Sequence, residues 1–173
     1  MPISVMLKPA SSNCNLACEY CFYHSLSSKR TDFSKGFMSD DTAKRVVDSA
    51  LEFADSTDVY FTFQGGEPLL CSLDFYKNFV SYVKKSNKKG SNVHYCLQTN
   101  STLINDEFAL FFKENGFLIG VSLDGDKEVN KYRILFFLAL FSLIYCLFFE
   151  KKVYKKIECF FAIYAFIFGL LLV

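Results

Sequence analysis

Three cysteines packed into the stretch CNLACEYC constrain this chain more than any other feature: Cys14, Cys18 and Cys21, in a CxxxCxxC pattern just after a short apolar run. Thiolates at that spacing can converge on one iron-sulfur cluster, and three of them leave one iron of a 4Fe-4S cube without a protein ligand. An open iron implies a chelating cofactor. A second reading adds His24, which follows Cys21 at a zinc-like offset, and gives a closed Cys3His structural site. A disulfide framework is disfavoured by the odd number of cysteines, seven, and by the lack of a secretory pattern at the start of the chain. The thiols are therefore expected to be reduced, and the cysteine-bearing part cytoplasmic.

The segments around the cysteines alternate in type. ISVML, from Ile3 to Leu7, is short, apolar and partly β-branched, and reads as a first strand closed by Lys8, Pro9 and Ala10. Ser25 to Lys35 reads as a surface loop. Ser39, Asp40 and Asp41 then offer N-cap chemistry, and Val46, Val47, Ala50, Leu51 and Ala54 follow at helical spacing. VYFTF, from Val59 to Phe63, is a second strand running into Gln64, Gly65, Gly66, Glu67 and Pro68. An amphipathic segment through Val83, ending in lysines, predicts another helix. VHYCLQTNS is a third strand, Asp106 to Asn115 a helix stopped by Gly116, and FLIGVSLDG a fourth strand.

This β-α-β-α-β-α-β order predicts an α/β fold with parallel strands joined by right-handed crossovers. In such folds the loops at the strands' C-terminal ends collect the chemistry, and here that edge collects the cysteine loop, GGEP, QTN and SLDG. At 173 residues the chain is long enough for one sizeable core. A net charge of +1 with no basic stripe excludes nothing about a small substrate but gives no argument for nucleic acid. Two adjacent glycines after a strand allow close backbone approach to a ligand, and Glu67 offers a carboxylate to an amino group. The bland alternative is a tight turn carrying a solvated acid. Gln64, Gln98 and Asn100 either line the same mouth or bridge strand ends. Cys71 and Cys96 read as small apolar residues of the core, His24 as a loop hydrogen-bonding residue, and His94 receives no role.

The cysteine loop, with Tyr20 just before its last thiol, resembles the signature of the radical S-adenosylmethionine enzymes. KPASSNCNLACEYCFYHSLS, FQGGEP and LQTNSTLI together look most like the anaerobic sulfatase-maturating enzymes. The resemblance implies a partial (β/α) barrel of about four βα units over residues 1–133. It implies a 4Fe-4S cluster on Cys14, Cys18 and Cys21, with S-adenosylmethionine on its open iron. Gly65, Gly66 and Glu67 would meet the methionine end, backbone around Tyr20 the adenine, Ser122 the ribose, and Arg133 the cofactor carboxylate. The implied chemistry is reductive cleavage of the sulfonium to a 5'-deoxyadenosyl radical, which takes hydrogen from a sulfatase cysteine or serine on the way to Cα-formylglycine. An electron donor for the cluster is implied as a further partner. The organic step belongs to the cofactor, and the protein supplies binding and orientation.

The resemblance ends at Arg133. Asp126 stands where a proline is usual, KEVNKYR is one residue short, and beyond it no counterpart exists for the family's carboxylate base or cysteine-rich C-terminal domain, so the sequence assigns no catalytic base. Residues 134–173 hold two apolar runs, ILFFLALFSLIYCLFF and CFFAIYAFIFGLLLV, expected to be helical. At ~1.5 Å per residue they reach roughly 24 and 22 Å, short of the ~30 Å hydrocarbon core. Lys151, Lys152, Lys155 and Lys156 between them suit a cytoplasmic-side hairpin loop and possible membrane contact. The abundance of residues specified by AT-rich codons also fits an unrelated reading frame joined to a broken coding sequence. Two alternatives to the sulfatase-maturating reading stand: another peptide-modifying radical enzyme, and a zinc-stabilised, membrane-attached interaction protein.

Overall fold

The computed structural model of the chain describes residues 1–18 and 21–123, without the side chains of Phe22 and His24. The expectations for Tyr20, Arg133 and the apolar helical tail over 134–173 lie outside the described residues. Among the described residues, no helix is long and apolar enough to cross a membrane.

Four parallel strands make one sheet in sequence order: β1 (Ile3–Leu7), β2 (Asp58–Phe63), β3 (Asn92–Thr99) and β4 (Phe117–Val121). Register places Leu7 beside Phe63, Phe63 beside Leu97 and Thr99 beside Val121, so all four strands finish near one level. The helices are α1 (Phe22–Ser27), α2 (Asp40–Ala54), α3 (Leu73–Ser86) and α4 (Asp106–Glu114).

Helix boundaries follow their capping chemistry. Ser39 Oγ accepts the Thr42 N–H at the start of α2, with Asp40 and Asp41 in the first turn, where acidic groups complement the helix dipole. Asn105 Oδ1 accepts the Phe108 N–H at the start of α4. α3 ends with Lys84 and Lys85 in its last turn, at the end of the dipole that favours cations. α1 departs from the expected loop, because the Ser25 N–H returns to the Cys21 carbonyl and winds the chain into a short helix directly after the cysteines.

The sheet is buried on one face. Val59, Phe61 and Phe63 are fully buried while Tyr60 between them is exposed, which is the period-two signature of a strand covered on one side. Val47, Ala50 and Ala54 from α2, Tyr76, Phe79 and Val83 from α3, and Phe108 and Phe112 from α4 complete the core. Its centre is aromatic: Phe63 meets Tyr76 at 5.2 Å and Phe79 at 5.1 Å, both edge-to-face, the preferred geometry for ring quadrupoles. The face turned away from the helices carries Ser4, Met6, Tyr60, Thr62, His94, Cys96, Gln98 and Leu118, a mixed polar and apolar set that leaves it open.

At the strands' N-terminal end His94 Nε2 lies 3.0 Å from Asp58 Oδ1, and the His94 ring stacks on Tyr60 at 4.4 Å. The hydrogen bonds from His94 and Asn92 hold the Asp58 carboxyl below its ordinary range. Its contribution to stability is present above the unfolded carboxyl value and lost as pH falls through the folded one. In an NMR titration, His94→Ala is expected to move Asp58 back up toward the ordinary value of about 3.9.

Truncating the aromatic centre should be costly. Phe63→Ala is expected to lose about 3–5 kcal/mol by urea denaturation, since the cavity is walled on several sides by rigid rings. A loss below about 1 kcal/mol would show that the surrounding rings do not form a fixed wall.

Candidate active site at the strand ends

The loops leaving β1, β2, β3 and β4 are laced into one rim. After β1 the chain makes two tight turns, Ser11 N–H to the Lys8 carbonyl and Asn13 N–H to the Ala10 carbonyl, and so reaches Cys14. Beside it the segment after β2 continues the ladder. Gln64 N–H donates to the Leu7 carbonyl, Gly66 N–H to the Ser11 carbonyl and Glu67 N–H to the Asn13 carbonyl, at 2.9, 3.1 and 2.7 Å. This lacing explains the glycine pair. Gly65 has φ +104, and a Cβ there would sit 2.9 Å from the Ser11 carbonyl oxygen; a Cβ on Gly66 would collide with the backbone of Ser12 and Asn13.

Glu67 is the knot of the rim. Its side chain is 0 % exposed. Oε1 accepts the Leu69 N–H at 2.9 Å and the Thr99 hydroxyl at 2.7 Å, while Oε2 accepts the Asn100 N–H at 2.8 Å. Donors among the described residues thus fill three of about four acceptor positions on the carboxylate. The sequence alternative of a tight turn with a solvated acid is therefore half right: the turn is tight, but the acid is buried. Thr99 Oγ1 in turn accepts the Ser101 N–H at 3.0 Å. Behind the knot the Tyr76 hydroxyl donates to the Pro68 carbonyl at 2.9 Å, and burial raises this phenol, which keeps it a donor.

The remaining polar residues bridge loops. Gln98 Nε2 donates to Ser122 Oγ at 2.9 Å, and the Ser122 N–H donates to the Thr99 carbonyl at 2.8 Å, so β3 and β4 are stitched at their ends. Asn100 Nδ2 reaches the cysteine loop, at 3.0 Å from Asn15 Oδ1 and 3.7 Å from Cys14 Sγ. Asn15 Nδ2 donates to Thr102 Oγ1 at 2.6 Å. Asn15, Thr99 and Thr102 were not marked by the sequence, because the bonds that tie them into the rim, Asn15 to Thr102 and Thr99 to Glu67, span 87 and 32 residues and no spacing rule connects them.

None of Cys14, Cys18, Cys21, Cys71 and Cys96 is joined in a disulfide. Partial burial, followed by the charges of Glu67, Cys18 and Cys21, pushes the Cys14 thiol up, against a Leu16 N–H bond that lowers it. Among the described residues no three His, Cys, Asp or Glu side chains are drawn into a group that holds a metal ion. The donor set nevertheless fits an iron-sulfur cluster in kind: three unpaired thiols on one loop, with N–H groups directed at Cys14 sulfur. Cys71 differs, since burial pushes its thiol to about 11 and leaves it a core residue. Cys96 is half-buried on the open face of the sheet rather than in the core.

The Radical SAM superfamily model matches residues 9–136, which contain every loop of this rim. The chain belongs to the radical SAM superfamily. Its relatives within that superfamily include the cysteine-type anaerobic sulfatase-maturating enzyme of Clostridium novyi (strain NT), 49% identical over 133 residues, 76% of this chain and 35% of the relative. The serine-type anaerobic sulfatase-maturating enzyme of Bacteroides thetaiotaomicron is 41% identical over 133 residues, 76% of this chain and 32% of the relative. Among solved structures, native anSMEcpe with bound AdoMet and Kp18Cys peptide is similar at a TM-score of 0.68 and 43% identity, over 75% of this chain and 34% of that one. The chain spans about a third of the length of the curated relatives it matches.

Glu67→Gln places an amide N–H against one of the donors now satisfied by oxygen. The radical SAM fold of this chain is expected to lose about 1–3 kcal/mol in denaturant unfolding, the cost of an unmatched buried polar group. A change within about 0.5 kcal/mol would show that the rim does not depend on the carboxylate.

Proposed function

We propose that this chain is the cluster- and S-adenosylmethionine-binding part of a radical SAM oxidoreductase of the sulfatase-maturating kind, acting on a cysteine or serine of a sulfatase polypeptide. The observation that carries the reading is the three thiols, none in a disulfide, on the first rim loop of a chain 49% identical over 133 residues to a cysteine-type sulfatase-maturating enzyme. Residues 1–133 form its core in this reading, an arc of a (β/α) barrel, and 134–173 a separate apolar tail.

Cys14, Cys18 and Cys21 would hold a 4Fe-4S cluster. When bound, the cluster supplies one-electron reduction, with S-adenosylmethionine as its sulfonium acceptor and a separate donor protein as its source of electrons. The chain's own residues then bind and orient. Gly65 and Gly66 bring backbone to the methionine end. Glu67 fixes that turn from behind, through its bonds to Leu69, Thr99 and Asn100. Ser122, whose hydroxyl accepts from Gln98, would meet the ribose, with Tyr20 assigned to the adenine and Arg133 to the carboxylate. The Cα-formylglycine product is what the resemblance to the sulfatase-maturating enzymes implies, and no residue of this chain is assigned as the catalytic base.

Anaerobic reconstitution of the full chain tests the site. About four irons and four sulfides per chain, with an electron paramagnetic resonance signal perturbed by S-adenosylmethionine and lost in Cys14→Ser, Cys18→Ser and Cys21→Ser, is the expected result. One zinc per chain and no iron would overturn it in favour of a structural site. Formylglycine in a co-expressed sulfatase peptide, read by mass spectrometry, separates sulfatase maturation from other peptide modification.

A further inference from the structure

The cysteine loop is tied to the rim through one carboxamide. Asn100 Oδ1 accepts both the Thr102 N–H at 3.0 Å and the Thr102 hydroxyl at 2.8 Å. A backbone N–H can only donate, so this pair of bonds fixes which end of the amide is oxygen. Nδ2 therefore faces the other way, toward Asn15 Oδ1 at 3.0 Å and Cys14 Sγ at 3.7 Å. Its two N–H groups meet two acceptors, and one of these is a sulfur assigned to the cluster. The residue's own backbone is fixed as well, since its N–H is held by Glu67 Oε2. A second donor, the Leu16 N–H, lies 3.4 Å from the same sulfur.

We propose that Asn100 is a positioning residue for the Cys14 ligand, whose N–H···S bond holds that sulfur at the rim and raises the reduction potential of the cluster bound there. The inference rests on the cluster reading above. Hydrogen bonds to ligand sulfurs favour the reduced, more negatively charged cluster, and outer-shell partners of this kind orient ligands as well as tune them. A neutral amide suits the task because it donates without adding charge next to the carboxylate of Glu67. The equivalent acid would keep the Thr102 bonds but turn an acceptor oxygen toward the sulfur.

The test is a redox titration of the full chain, anaerobically reconstituted with iron and sulfide and followed by electron paramagnetic resonance. Asn100→Ala removes the donor, and Asn100→Asp keeps the acceptor for Thr102 while inverting the end that faces Cys14. Both are expected to shift the reduction equilibrium about tenfold toward the oxidised cluster, about 59 mV more negative for one electron, with Asn100→Asp at least as large. A purely structural role for Asn100 predicts instead that Asn100→Ala leaves the potential unchanged, any shift in Asn100→Asp then being the effect of its added charge alone, and that result overturns the proposal. If neither variant retains iron, Thr102→Val loosens the same amide without touching it. A smaller shift in the same direction then supports the proposal, and an unchanged potential overturns it. Failure of the unsubstituted chain to take up iron would overturn the cluster reading itself, and this inference with it.

Discussion

The buried carboxylate of Glu67 is the constraint on which the rest of the rim depends. Taking an acid out of water costs several kcal/mol unless its oxygens find donors. Here the donors come from the turn just after it and from the end of β3, two strands' worth of chain brought together by one side chain. Each bond to a charged acceptor is worth about 1.5–3 kcal/mol against leaving it unmade. The knot therefore behaves as a single unit that is either fully formed or badly unsatisfied.

Around that knot the backbone does the remaining work. The β1 loop is not free to wander, because its carbonyls at Ser11 and Asn13 are taken by N–H groups of the glycine pair's own turn. Glycine is required there by the closeness of two backbones, not only by the approach of a ligand. The cysteine loop thus leaves from a fixed take-off point. Just beyond that point Asn100 holds Cys14 and Asn15, so Cys14 sits between two anchors, one backbone and one side chain. Beneath, the edge-to-face packing of Phe63, Tyr76 and Phe79 keeps the strand ends from sliding, and Tyr76 joins core to rim through Pro68.

Much of this was legible in the sequence. The strands emerged from short β-branched and aromatic runs, and the helices from caps at Ser39 and from glycine at 116, because those signals are local. The placement of CNLACEYC, GGEP, QTN and Ser122 along one edge followed from the βα alternation alone. What the sequence did not disclose is long-range. Nothing in the string tells that Thr99 would satisfy Glu67, that Asn100 would reach Cys14, or that the acid of GGEP would be buried rather than solvated. The short helix after Cys21 was also missed, since its residues carry no cap and no apolar period.

The central claim is that the rim is built by hydrogen bonds of the chain itself, before any cofactor binds. Amide hydrogen exchange on the iron-free protein tests it most directly, at the N–H groups of Gly66, Glu67, Leu69, Asn100 and Ser122. The account predicts protection comparable to that of the central strands β2 and β3, where exchange requires opening of the sheet. Exchange of these five amides at the rates of unstructured chain, with the strands still protected, would contradict it.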